Sequence, residues 1–359
     1  MNEEKIRLKA TARTPLCIGN GEIYNYLDYV PEKNKIKIID INKAFEELKY
    51  IEKINKLSEL IQNNIENNRS KFTTKELFEK VGITNISDCV VKEMDSEISV
   101  DKRGEIKQFI NQNGKYYIPG SSIKGAIRTA YIFDYFDGKI EKLVEILKNR
   151  NKGNELVKTA VGNIGNDVFK YLLVSDSGII EGKNFKMVET ERYNKYLSEK
   201  TKKPLRRGNP QNAEVLKENS EFEISLTIKE GFPKKFDELK DMINNLTKTI
   251  CDFEISVENN HKDLKEFYQN LKTELGEEVY LDIGFGSGYL SKTIYLLLWK
   301  HKQDLKSIKW SLPIKKYFDR YTKKKYPQKV NDYPDFPRTR TLYNLNGKYV
   351  PLGWIKLNE

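Results

Sequence analysis

The segment from Tyr117 to Ala130, YIPGSSIKGAIRTA, constrains this chain more than any other stretch of it. A strand-like Tyr116-Tyr117-Ile118 meets Pro119-Gly120, a pair that enforces a sharp turn. Ser121 or Ser122 then stands where a helix N-cap belongs. Behind it Ile123, Ala126, Ile127 and Ala130 recur at i, i+3, i+4 and i+7, the stripe of an amphipathic helix. Lys124 and Arg128, four apart, share another face. Gly125 costs the helix roughly 1 kcal/mol relative to Ala, which we read as room for a second backbone to approach. Backbone N–H groups, a helix dipole, hydroxyls and two cations therefore converge at one end, a combination suited to a polyanion.

The rest of the composition agrees. The 359 residues suffice for two domains or one large one, and 63 Lys and Arg against 52 Asp and Glu leave a formal charge of +11. That excess favours a polyanionic partner. Three scattered cysteines, Cys17, Cys89 and Cys251, form no CxxC pair, which speaks against a disulfide framework or a structural zinc site. The opening MNEEKIRLKA carries acids and no apolar stretch, and the longest apolar run, Ile294 to Trp299, is far below the roughly 20 residues a bilayer requires. The expectation is a cytoplasmic protein without a membrane partner.

Along the chain, Ile6, Leu8, Ala10 and Ala12 alternate with polar residues as a half-buried strand. It enters a loop from Thr14 to Glu22 punctuated by Pro15, Gly19 and Gly21. A hairpin follows over 26–40. Residues 42–113 read as a helical insertion outside the core of the first sheet. Residues 169–176 and 185–192 read as paired strands around Ser177-Gly178, and Phe222 to Ile228 alternates strictly. Helices are expected near 233–247 and 261–274, then a short strand at 279–283, a glycine loop, and a helix from Tyr289 to about His301.

That loop, Asp282-Ile283-Gly284-Phe285-Gly286-Ser287-Gly288, looks like the first motif of S-adenosylmethionine-dependent methyltransferases. Its position counts against that use. Roughly 70 residues follow Gly288, too few for the βα units a Rossmann-type sheet still needs, and no acidic strand end stands about 20 residues on. Two alternatives remain: a cradle in which backbone amides hold phosphate, with Lys292 adding a cation, or a purely structural turn.

Catalytic signals are sparse. His261 and His301 lie in Lys-rich helical surroundings and read as solvated. Asp332 with Asp335, and Asp95 with Glu97, read as loop acids. Asp176, at a strand end, reads as a cap or turn former. Tyr24, Tyr26, Tyr116 and Tyr289 flank the glycine-bearing loops and are candidates for stacking on bases. Trp354 reads as core, whereas Arg338 and Arg340 share one side of a strand and are placed to reach phosphate.

Pro119-Gly-Ser-Ser-Ile-Lys-Gly-Ala-Ile-Arg128 resembles the signature of RAMP proteins, the RNA-binding subunits of type III CRISPR effector complexes. With the glycine loop and the tail Pro337-Arg-Thr-Arg340 and Pro351-Leu-Gly-Trp354, it is most similar to the subunit that caps the crRNA 3′ end in type III-A (Csm) complexes. A type III-B RAMP subunit is the nearest alternative within the family. The resemblance implies an α+β fold of tandem ferredoxin-like (RRM-like) domains. We place them at 1–200, with the insertion 42–113, and at 201–359. It further implies a subunit with neither catalytic step nor cofactor, binding crRNA through Gly19, Gly21, Gly120, Ser121, Ser122, Lys124, Gly125 and Arg128, through Gly284, Gly286, Ser287, Gly288 and Lys292, and through Arg338 and Arg340. Implied partners are other Csm subunits, above all the repeated backbone RAMP subunit, with host nucleases as candidates.

Overall fold

The computed structural model describes residues 3–48, 50–66, 72–99, 104–148, 152–197, 204–206, 210–257, 260–276, 278–303, 337 and 339–359. A five-stranded sheet organises it. β1 (Glu4–Ala12) is central, with β13 (Glu221–Ile228) and then β9 (Leu172–Val174) on one side, β17 (Trp354–Asn358) and then β14 (Val279–Asp282) on the other. Every neighbouring pair is antiparallel. α4 (Gly120–Asp137) connects β1 to β9, and α7 (Phe236–Ser256) follows β13 on the way to β17. The succession β1, α4, β9, β13, α7, β17 with spatial order β17-β1-β13-β9 is the ferredoxin-like βαββαβ arrangement. β14 is an added edge strand.

The alternation in the sequence decides which face is covered. Leu8, Ala10 and Ala12 of β1, with Phe222, Ile224, Leu226 and Ile228 of β13, are buried and belong to one core with Ile123 and Ile127 of α4 and Leu239 and Ile243 of α7. Lys5, Arg7 and Lys9 point to the opposite face and are exposed. At the β14–β17 end that face is covered by α8 (Lys262–Glu274), whose Phe267 and Tyr268 rings lie 6.4 and 6.0 Å from Trp354. Trp354 is 0% exposed, the core residue its sequence setting suggests.

A ten-stranded sheet makes up most of the rest. Its main path is β2 (Gly19–Tyr24), β6 (Ile106–Phe109), β12 (Gln211–Leu216), β10 (Phe185–Leu197), β5 (Val90–Ser96), β4 (Lys35–Ile39) and β3 (Tyr29–Glu32). β11 (Pro204–Arg206) and β15 (Thr339–Leu345) pair with β10, and β16 (Lys348–Pro351) pairs with β15. β7 (Asn111–Gln112) and β8 (Lys115–Tyr116) form a separate ribbon. Near α4 lie α5 (Ile140–Lys148), α6 (Lys152–Val161) and the short α9 (Tyr295–Lys300).

Four expectations need correction. Both sheets draw strands from either side of residue 200, so a linear division there does not follow the sheets: β1 and β9 pair with strands beyond it. The helical part of the insertion is α1 (Ile41–Glu47), α2 (Ile51–Glu66) and α3 (Thr74–Lys80), packed around its own cluster of Ala44, Leu57, Leu77 and Phe78. The remainder of 42–113 supplies β5 and β6, interior strands of the large sheet. β9 and β10 do not pair with each other; they belong to different sheets. Finally, the helix after the glycine loop starts at Tyr295, because residues 288–294 form successive turns and bends.

Candidate nucleic-acid interface

Strand direction gathers the glycine-bearing segments. β9 and β14 both run parallel to β1, since each is separated from it by one antiparallel neighbour. Their C-terminal ends therefore share one end of the sheet. The segment that leaves β1 there leads into β2, so Gly19 and Gly21 lie in a strand and not in the expected loop, and the glycine loop leaves β14 there. α4 begins there too, against the residues that follow β9.

α4 starts two or three residues earlier than the serines suggest. Pro119 is extended (φ −65°, ψ 128°) and Gly120 is already helical. The cap comes from a distant residue: the Gly120 N–H donates to Asp176 Oδ1 at 2.8 Å. Neither Ser121 nor Ser122 is the N-cap. Ile118 N–H donates to Ser177 Oγ, and Ser177 N–H donates to the Ile118 carbonyl, both at 2.9 Å. Asp176 is thus a capping residue. The close backbone approach belongs to Gly120 and not to Gly125: a Cβ at Gly120 would lie 2.3 Å from the Val174 carbonyl oxygen, whereas nothing lies within 4 Å of one at Gly125. Ser121 and Gly125 are exposed and Lys124 is half-buried, so a polar stripe faces outward from the first turns.

The two cations of α4 differ. Arg128 makes a two-pronged pair with Asp167, Nη1 to Oδ1 at 3.1 Å and Nη2 to Oδ2 at 2.7 Å, and its guanidinium lies 5.0 Å from the Phe169 ring centre. Lys124 forms no hydrogen bond or ion pair among the described residues; burial pushes its pKa down, the Arg128 charge adds to that, and Asp167 opposes it. Arg340 is also engaged. Its Nε donates to Glu254 Oε1 at 2.6 Å and its Nη1 to the Pro337 carbonyl at 2.7 Å, with Glu254 fully buried. It braces β15 against α7 instead of facing solvent as a free cation. Arg338 lies outside the described residues, as do Asp332 and Asp335.

The glycine loop is packed from below. Gly284, Gly286 and Gly288 have φ of 79°, 94° and 75°, values that L side chains rarely adopt. A Cβ at Gly284 would lie 2.3 Å from the Cys17 carbonyl oxygen, and one at Gly286 2.9 Å from Leu352 Cβ. Phe285 N–H donates to that Cys17 carbonyl at 2.7 Å, joining this loop to the segment that leads into β2 with Gly19 and Gly21. Ser287 Oγ and Lys292 Nζ both donate to the Gly284 carbonyl at 2.8 Å, so Lys292 fastens the loop. Lys107 of β6 stands 5.2 Å from the Phe285 ring centre, a cation that the sequence reading did not single out. Gly21 (φ 93°) has open space around it on an exposed edge strand. A methyltransferase arrangement is not present: β14 is the edge of an antiparallel sheet, and no helix begins at the third glycine.

Beneath this end lies a buried polar layer. Asp282 Oδ2 accepts a hydrogen bond from the Ser291 hydroxyl, and burial pushes its pKa up to about 7 against the pull of that hydroxyl and of Lys292. Glu214 of β12, 0% exposed, receives the Tyr116 hydroxyl, Lys92 Nζ at 2.5 Å and the Phe109 N–H at 2.9 Å. Tyr116 itself is 3% exposed and stacks on Phe185 with centroids 4.0 Å apart, so it is core and not a base-stacking platform.

The comparisons with known proteins fit this geometry. The RAMP superfamily profile matches residues 9–291. A protein named "CRISPR system Cms protein Csm5" from Methanocaldococcus jannaschii is 40% identical over 381 residues, spanning 98% of this chain and 88% of its own. Another of that name from Streptococcus thermophilus is 28% identical over 309 residues, spanning 80% of each. A chain in the cryo-EM structure of a Csm–crRNA–target RNA ternary complex of a type III-A CRISPR-Cas system is similar in fold, with a TM-score of 0.74, 20% identity and coverage of 99% of this chain and 100% of that one. The crystal structure of T. onnurineus Csm5 gives 0.65, 18% identity and coverage of 97% and 99%. The chain belongs to the RAMP superfamily, with Csm5 proteins among its relatives.

Proposed function

We propose that this protein is the crRNA-binding subunit of a type III-A Csm effector complex, acting in the cytoplasm in antiviral defence. It caps the filament of repeated backbone RAMP subunits at the crRNA 3′ end and supports maturation of that end, without a catalytic step or cofactor of its own. The observation that carries this is the 40% identity to a Csm5 protein across nearly the whole chain. The geometry supports it: the outward-facing Ser121–Lys124–Gly125 stripe, the Gly19–Gly21 edge and the glycine loop with Lys107 and Phe285 lie at one end of the ferredoxin-like sheet. Host nucleases that trim the RNA are candidate partners.

Binding should then be electrostatic and largely indifferent to sequence. Fluorescence anisotropy with unrelated single-stranded RNAs should show log affinity falling with log salt by roughly 0.7 per phosphate engaged. Cells lacking the protein should accumulate crRNAs with heterogeneous 3′ ends. A flat salt dependence together with unchanged crRNA lengths would refute the proposal.

A further inference from the structure

We infer that Asp167 is a built-in competitor for Lys124, and that Arg128 is a positioning residue that keeps it occupied. This inference rests on the RNA-binding reading above and assigns the phosphate contact of α4 to Lys124 alone.

The loop after α6 presents Asp167 in a fixed place. Gly162 turns with φ 94°, and its Cβ position lies 2.5 Å from the Asn166 carbonyl oxygen, so the chain folds back tightly. Lys170 Nζ holds the Gly165 carbonyl at 2.8 Å. The Asp167 carboxylate caps the following turn by accepting the Phe169 N–H at 2.9 Å. Its two oxygens then meet the two ends of the Arg128 guanidinium, a fork geometry that lysine cannot reproduce. Phe169 closes the guanidinium from the ring side. An arginine committed in this way has little left for RNA.

Lys124 stands one turn earlier on the same helix as Arg128, whose guanidinium holds the Asp167 carboxylate. While Arg128 holds Asp167, the lysine has no ion-pair partner among the described residues and its charge is available. Removing Arg128 alone leaves an unpaired carboxylate beside Lys124, and the lysine would neutralise it. Loss of Arg128 would thus weaken RNA binding even though Arg128 touches no RNA.

The test uses the full chain and oligouridine, with anisotropy titrations across salt and thermal melts of every variant. Lys124→Ala should lower affinity roughly tenfold or more and reduce the salt slope by about 0.7. Arg128→Ala should do the same. Adding Asp167→Asn to Arg128→Ala should restore both affinity and slope, which a merely structural role for Arg128 would not produce. If Arg128→Ala does not fold, Arg128→Gln keeps the side-chain stem over Phe169 and the same rescue is expected. Wild-type binding with no recovery in the double variant overturns the inference and makes Arg128 itself a phosphate ligand. Absence of salt-dependent binding by the wild type overturns the function reading as well.

Discussion

Two glycines five residues apart in α4 should respond to alanine in opposite directions. At Gly120 the new Cβ would lie 2.3 Å from the Val174 carbonyl oxygen and 2.5 Å from that of Ser175. Relief requires the helix and the end of β9 to separate by about 1 Å, since van der Waals contact begins near 3.4 Å. That movement stretches the 2.8 Å bond from the Gly120 N–H to Asp176. Overpacking costs about 1–3 kcal/mol and a weakened hydrogen bond to a charged group about 1–3 kcal/mol more. Gly120→Ala should therefore lose roughly 2–6 kcal/mol. At Gly125 the Cβ meets nothing within 4 Å, so alanine gains its helix preference of about 1 kcal/mol. The melting temperature should rise by about 1 °C for a chain of this size. RNA binding separates the two further: the methyl group at 125 sits on the exposed stripe beside Lys124 and should weaken binding in a more stable protein. Urea denaturation and anisotropy on both variants measure this. If Gly125→Ala destabilises as much as Gly120→Ala, the geometry of α4 described above is wrong.

Asp282 gives a pH dependence. Its pKa in the folded state, about 7, lies above the ordinary carboxylate value, so the folded protein holds a proton that the unfolded chain has released. Its contribution is full below about pH 4, declines as pH rises towards 7, and is level above that; the span is on the order of 4 kcal/mol. Asp282→Asn should remove this slope from urea midpoints measured between pH 4 and 8, and an unchanged slope would show that the carboxylate is not desolvated as described. Arg340→Ala leaves Glu254 as a buried, unpaired charge and should cost about 3–5 kcal/mol. Adding Glu254→Gln should recover part of the loss, whereas a merely surface pair would give under 1 kcal/mol in a double-mutant cycle.

Local patterning was legible in the sequence because it is written in neighbouring residues. The alternation of β1 and β13 and the i, i+3, i+4 stripe of α4 appear as read, and the family followed from the ten residues of its signature. What failed was long-range. The α4 cap lies 56 residues downstream on Asp176, so the adjacent serines looked like the cap. Gly125 looked packed and Gly120 merely turn-forming, because only tertiary structure shows which glycine faces Val174 and Ser175. The partners of Arg128 and Arg340 were hidden, because Asp167 and Glu254 are 39 and 86 residues away. Lys107 carried no local signal, since it becomes relevant only when β6 brings it over Phe285.

The pairing of β1 with β17 places Lys9 opposite Asn358. The ferredoxin-like sheet therefore closes only when chain separated by nearly the whole sequence comes together, with the helical insertion, the large sheet and the glycine loop lying between. Such wide separation slows the search for the native pairing, because loop-closure entropy is spent before the sheet rewards it. On a ribosome, α4 and β9 emerge long before β17, and the strand that completes the sheet comes last. Until then β1 has one of its two edges bare, an adhesive surface for other nascent strands. A chain made only as far as the glycine loop thus carries the signature helix without the strand that completes the sheet.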